Sequence, residues 1–406
     1  MKNRGGLLLV CTIILSGIMA AAVLNDAGAI TVFSILGSRY GYSIVWELAV
    51  TGIFFVLIQE MISRIAVVTG KGLSDLIREK FGVKWTFIAM IIFLAANICS
   101  AAANFSGIAL ALVVFNISRY ISIPCAAIVI GLVFARNNCK LTRKVFIVLQ
   151  IVLLFYIALV LVVKPDMSYI AFRALNPGIK FQTTYFILLL AVVGVLTAPY
   201  IQFYIQSSIV EKSIPVKKYG YQKIAICIES MAVVIIDFFI IAGAFEVLGK
   251  SGIAADSVIN MSAIFIPLSN RPYIIYTAIM FSVSVLACFI IPSCTAFSIC
   301  QSFGFESGED NKIKDVPVFS GIFLFVIILG SLVAVVSRCN FFDTIVVTQA
   351  VVGVLSSAIL VFIIKIANDP EIMEDRVNRG FQNFVLYVFI LFSQGVFLIV
   401  LLKLFT

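Results

Sequence analysis

Long apolar runs alternate with short clusters of charged and turn-forming residues along the whole chain. The runs fall at 7–37, 44–68, 85–117, 121–135, 145–163, 183–210, 221–248, 272–303, 317–336, 343–367 and 381–404, which makes eleven segments. Most approach or exceed the roughly 20 apolar residues that carry a helix across a bilayer core. None shows the period-2 alternation of a membrane barrel strand. The fourth run, 121–135, is the shortest. The pattern predicts an all-α polytopic membrane protein with eleven transmembrane helices.

Composition sharpens this. Of 406 residues, 62% are hydrophobic and 12% charged, whereas soluble domains run at about 45–50% and about 25%. A water-soluble enzyme is excluded. Histidine is absent, which removes every mechanism that needs an imidazole as base, nucleophile or metal ligand. The nine cysteines are dispersed, with no C-x-x-C pair. They read as small hydrophobes with free thiols, not as a disulfide framework or a zinc site.

Charge placement gives an orientation. With the N-terminus in the cytoplasm, the inner loops hold 20 of the 29 Lys and Arg residues, and the outer ones hold nine. This bias predicts a cytoplasmic N-terminus and, after eleven spans, an extracellular C-terminus in the cell membrane. The net charge of +9 then calls for no nucleic-acid partner. The first residues imitate a secretory leader, with Lys2, Arg4, an apolar run from Leu7 and Ala20-Ala21-Ala22. Similar helices follow at once, so the segment reads as a first membrane helix.

Two segments carry a break. In the first, apolar sequence is interrupted by Asn25-Asp26-Ala27-Gly28, and in the sixth by Gly194 through Thr197-Ala198-Pro199-Tyr200. Proline removes a backbone donor, and freed backbone groups survive in a bilayer only when buried in protein or facing a wet cavity. Breaks at matching places point to an inverted repeat with substrate at the midplane. The expected organisation is one transporter domain over 1–406. Its first repeat is 1–163, its second 183–367, and 381–404 is an added helix. Gly28 and Pro199 are the expected break residues.

Few polar side chains lie at membrane depth. A carboxylate at a helix centre is costly and normally marks a functional path, so Asp26 is the leading candidate ligand; as an alternative it caps the second half-helix. Asp237 and Glu229 lie eight apart on one face of the seventh helix, as an ion path or, for Glu229, an interfacial charge. Glu60 and Arg64, at i and i+4, read as an inner ion pair. The run Pro292–Ser298 either lines a cavity or packs helices. Gln349 is either a ligand or an interhelical hydrogen-bonding group.

On these residues the chain resembles the Nramp family of divalent metal-ion transporters, which have a LeuT-type fold. The family's Asp-Pro-Gly-Asn signature falls on Asp26-Ala27-Gly28-Ala29. Spacing then holds through Gly41-Tyr42-Ser43 and Trp46 to Gln59, Ser63-Arg64 and Thr69-Gly70-Lys71. The Met-Pro-His-Asn signature falls on Ala198-Pro199-Tyr200-Ile201, Ser293-Cys294-Thr295 resembles the family's eighth helix, and Thr348-Gln349 to Ile372-Met373 its tenth.

The resemblance implies a metal site built from Asp26, the Val195 carbonyl and Gln349, with Ala29, Ala198, Thr197 and Tyr200 shaping the cavity. The family's asparagine and methionine ligands are alanines here, its proton-linked histidine is Tyr200, and its acidic pair on the proton route is Asn97 and Ser100. This combination is similar to the Nramp-related magnesium transporter branch. Physical chemistry agrees in direction, because Mg²⁺ takes oxygen ligands and keeps several waters, while a soft sulfur favours later transition metals. The expectation is a carrier for Mg²⁺, and also Mn²⁺, working by alternating access without proton coupling. The ion is substrate, not cofactor, and no obligate protein partner is expected. The alternatives are a proton-coupled Mn²⁺ or Fe²⁺ carrier, an amino-acid symporter on the same fold, and a non-transporting receptor.

Overall fold

A computed structural model describes residues 24–136, 149, 151–176, 178–306 and 315–405. The first half of the first apolar segment, including the leader-like stretch, lies outside the described residues. Every described element is helical. They are α1 Ala27–Tyr40, α2 Val45–Thr69, α3 Leu73–Val113, α4 Arg119–Ala135, α5 Leu154–Val163, α6 Met167–Leu175, α7 Thr183–Thr197 and α8 Pro199–Glu211. There follow α9 Tyr219–Ala244, α10 Val258–Ser262, α11 Pro272–Phe303, α12 Pro317–Val336, α13 Phe341–Ala367, α14 Pro370–Met373 and α15 Gly380–Phe405.

Each of the eleven apolar segments contains helix where described. Eight described stretches are long and apolar enough to cross a membrane, or nine if the pair Ile151–Val163 and Met167–Leu175, bent by 106°, is one span. One of these stretches, Ala27–Thr69, holds two of the expected segments, α1 and α2. Gly41, at φ 58°, lets the chain leave α1. The fourth segment, α4, is the shorter apolar helix the sequence suggested.

Boundaries differ in one instructive place. The third helix was expected from residue 85, but helical backbone begins at Leu73 and turns at Gly82, φ 75°. Leu73–Phe81 carries Asp75, Arg78, Glu79 and Lys80, charges that hid it from an apolar pattern. Lys80 bridges to Asp369 at 2.5 Å, tying this arm to the end of α13.

Inside the bundle, α3 packs on α11, α12 and α13, while α13 also packs on α7. α9 lies against α1 and α2. Small residues permit the closest approach. A Cβ at Gly194 of α7 would overlap the Gln349 carbonyl of α13, and one at Gly353 would overlap the Leu190 carbonyl. This is the small-residue packing that membrane helices use in place of a hydrophobic driving force. The Glu60–Arg64 pair forms at 3.5 Å as expected. Arg64 also donates to the carbonyls of Arg376 and Val377 at 2.9 and 3.0 Å, which ties α2 to the turn before α15.

Candidate cation site

Helical geometry is lost at Asn25 and Asp26 and resumes at Ala27. Asp26 is 4% exposed, and its Oδ1 accepts the Ala29 N–H at 3.1 Å. It therefore caps α1, the structural role that the sequence allowed beside the ligand role. Its Oδ2 accepts from Asn104 Nδ2 of α3 at 2.8 Å, while Asn104 Oδ1 accepts the Ala27 N–H at 3.2 Å. Asn104 thus fixes the carboxylate against the half-helix it caps. Asp26 is thus a buried carboxylate held in place by backbone and side-chain donors around the break.

Gly28 is not the break residue expected of it. It lies in the first turn of α1 and is there for contact, because a Cβ would overlap the Gln349 amide nitrogen and stand 2.9 Å from Asp26 Oδ1. Gln349 therefore belongs beside Asp26, not to a remote interhelical bond. Its Oε1 is buried and has no hydrogen-bond partner among the described residues. The tight α7–α13 crossing at Gly194 and Gly353 sets this position.

The second break falls one residue before the proline. Ala198, at φ −51° and ψ 132°, leaves the helix, and Pro199 opens α8 at its first turn, where a missing N–H costs nothing. The residue four after Val195 is Pro199, so the Val195 carbonyl has no helical donor. The Thr197 carbonyl is taken by Gln202 Nε2 at 2.9 Å, and the Thr197 hydroxyl lies 2.9 Å from Ser356 of α13. Of the expected cavity-shaping residues, Ala29, Ala198 and Tyr200 are buried at the two breaks. Tyr200 is within coulombic reach of Asp26, and its carbonyl accepts from the Cys294 thiol at 3.4 Å.

The α3 residues form one polar stripe. Asn97 donates to Thr295 of α11 at 2.8 Å, and the Ser100 carbonyl accepts from Asn104 at 2.9 Å. The run Pro292–Ser298 therefore joins α11 to both α3 and α8. Asp237 is fully buried and within coulombic reach of Asp26; Glu229, two turns earlier, is half-buried. The sequence reading missed Asn104 and Gln202. Asn104 could have been found, since it continues the Asn97–Ser100 face by one more turn.

Among the described residues no group of three or more His, Cys, Asp or Glu side chains converges. What the structure brings together is the Asp26 carboxylate and the Gln349 side-chain amide at Gly28, while the Val195 carbonyl is left without a helical donor at the second break. Two broken helices facing each other are the arrangement of a LeuT-type fold. The fold agrees with solved structures of such proteins. The Eremococcus coleocola manganese transporter, bound to an aromatic bis-isothiourea compound, superposes with a TM-score of 0.73 at 12% identity, over 94% of this chain and 84% of that one. MhsT in complex with L-phenylalanine gives a TM-score of 0.56 at 14% identity, over 95% and 97%.

The chain belongs to the Nramp family: the model for natural resistance-associated macrophage protein-like proteins matches residues 17–403. A curated relative, a divalent metal cation transporter of Granulibacter bethesdensis, is 24% identical over 170 residues, 41% of this chain and 38% of its own length. The aligned part therefore spans well under half of that relative.

Proposed function

We propose that this protein carries divalent cations, Mg²⁺ foremost and Mn²⁺ besides, across the cell membrane by alternating access and without proton coupling. The observation that carries the reading is that Asp26 and the Gln349 side-chain amide stand on either side of Gly28, the amide having a buried oxygen with no hydrogen-bond partner among the described residues. Asp26 supplies the charge, while Gln349 and the Val195 carbonyl supply neutral oxygens. Alanines at positions 29 and 198 leave space for the waters that Mg²⁺ retains. Membership of the Nramp family favours a metal ion over an amino acid as cargo. In the proposed orientation the N-terminus is cytoplasmic and the C-terminus extracellular, with the bilayer as the main partner.

The neutral Asn97, Ser100 and Tyr200 support uncoupled transport, because none offers a carboxylate or imidazole beside Asp26. A second reading, a proton-coupled Mn²⁺ or Fe²⁺ carrier, draws on the buried Asp237. Proteoliposomes loaded with a pH dye and a metal-sensitive dye separate the two. The expected result is Mg²⁺ and Mn²⁺ influx with constant internal pH. Metal-dependent acidification selects the proton-coupled carrier, and absence of Mg²⁺ flux beside Mn²⁺ flux removes the magnesium assignment.

A further inference from the structure

Asp237 is not consumed by the site at Asp26. Both its carboxylate oxygens are buried and have no hydrogen-bond partner among the described residues. Its place follows from how α9 meets α1. A Cβ on Gly37 would stand 2.5 Å from the Ile241 carbonyl, and one on Gly41 would stand 2.7 Å from the Phe245 ring. Contacts that advance together mean that the two helices run parallel. Asp237 is one turn before Ile241 on the same face, which sets it level with Phe33 and Ser34. Ser34 lies beside the Tyr156 hydroxyl of α5. Neither hydroxyl makes a hydrogen bond of good geometry, and both residues are fully buried.

Three oxygen-bearing side chains from three helices thus share one dry level of the bundle, about two turns along α1 from Asp26. An ionised carboxylate left unpaired there is costly, and intramembrane carboxylates normally face an ion path. A second carboxylate about two turns from Asp26 also adds attraction for a divalent cation, whose two charges Asp26 alone does not balance. We propose that Asp237, Ser34 and Tyr156 form a second binding site for a hard cation, on the Tyr40 side of Asp26. All its donors are oxygens, the set that Mg²⁺, Mn²⁺ and Na⁺ share. The proposal rests on the reading of Asp26 as the first cation ligand.

The test uses the purified full-length chain in detergent, with thermal unfolding followed in sodium-free buffer and in added Mg²⁺, Mn²⁺ or Na⁺. The Asp26→Asn protein is expected to keep a cation-dependent rise in Tm, and the Asp26→Asn, Asp237→Asn double variant to lose it. Ser34→Ala on the Asp26→Asn background shifts the midpoint of that rise about tenfold upward in cation, a change of 1.4 kcal/mol. A rise with Mg²⁺ or Mn²⁺ assigns the site to cargo; a rise with Na⁺ alone assigns it to a co-ion. The proposal is overturned if Asp26→Asn is already flat for all three cations, or if the double variant still responds. Asp237→Asn alone also reports on pairing: its cation-free Tm equals or exceeds that of the parent, and a fall means the carboxylate is internally satisfied and binds nothing. Mg²⁺ flux that persists in Asp26→Asn proteoliposomes defeats the reading of Asp26 as the first cation ligand instead, and leaves the second site to stand or fall on unfolding.

Discussion

The two helix breaks solve one problem with opposite chemistry. At Asn25–Asp26 the chain opens with a charge, and the carboxylate closes the new helix end by accepting the Ala29 N–H. At Ala198–Pro199 it opens with a missing donor, so a carbonyl is released without any charge. The first break is held from α3 by Asn104, the second from within by Gln202. Gln349 of α13 stands against the first break through its side chain and against Gly194, before the second, through its backbone. In the proposed site the first break supplies the charge of Asp26, and the second break supplies the neutral Val195 carbonyl.

That asymmetry orders the effects expected on breaking each part. The largest is Asp26→Ala: with no charge left at the first break, Mg²⁺ uptake into proteoliposomes falls to the level of empty vesicles. Unchanged flux refutes the asymmetry outright. Next comes Gly194→Ala, whose methyl group meets a backbone carbonyl that cannot swing away. Such overpacking destabilises by about 3 kcal/mol, read as a lower Tm in detergent with no change on adding Mg²⁺ beyond that of the parent.

Asn104→Ala removes a hydrogen bond to a charged group, worth about 1.5–3 kcal/mol. The expected outcome is a KM for Mg²⁺ raised about tenfold with the protein still folded, whereas Gln202→Ala at the uncharged break changes KM less. Pro199→Ala restores an N–H to the Val195 carbonyl and is expected to weaken cation binding severalfold; equal affinity means the carbonyl is no ligand.

The smallest effect lies outside the membrane. Asp369 accepts from Lys80 at 2.5 Å, and that bond holds its carboxyl below the ordinary aspartate value of 3.8. A depressed carboxylate stabilises the fold above the ordinary value and loses that contribution as the pH falls through the lowered one. Because the pair is partly exposed, solvent screening keeps its worth under about 1 kcal/mol. Asp369→Asn should lower Tm slightly at neutral pH, with the difference vanishing in acid.

Much of this was legible before any coordinate. Among the described residues, every helix long and apolar enough to span a membrane falls on an apolar run, since a bilayer demands continuous apolar length and internal backbone pairing. The charged arm from Leu73 escaped because it obeys a soluble helix's pattern. Asp26 and Pro199 announced the breaks, for a carboxylate and a proline at membrane depth are hard to explain otherwise. Asn104 stayed hidden among ordinary polar residues of a packing face.

By itself, then, the sequence determined the solvent, the class of fold and the buried carboxylate at the first helix break. Those are properties of composition and local periodicity, fixed by what hydrocarbon tolerates. Only the tertiary structure decided that Gln349 meets Gly28, that Asn104 clamps Asp26, and that α9 sets Ile241 against Gly37 of α1. These depend on which glycines let helices approach and on the rotation of each helix about its own axis. Such long-range steric choices leave no trace within any one segment.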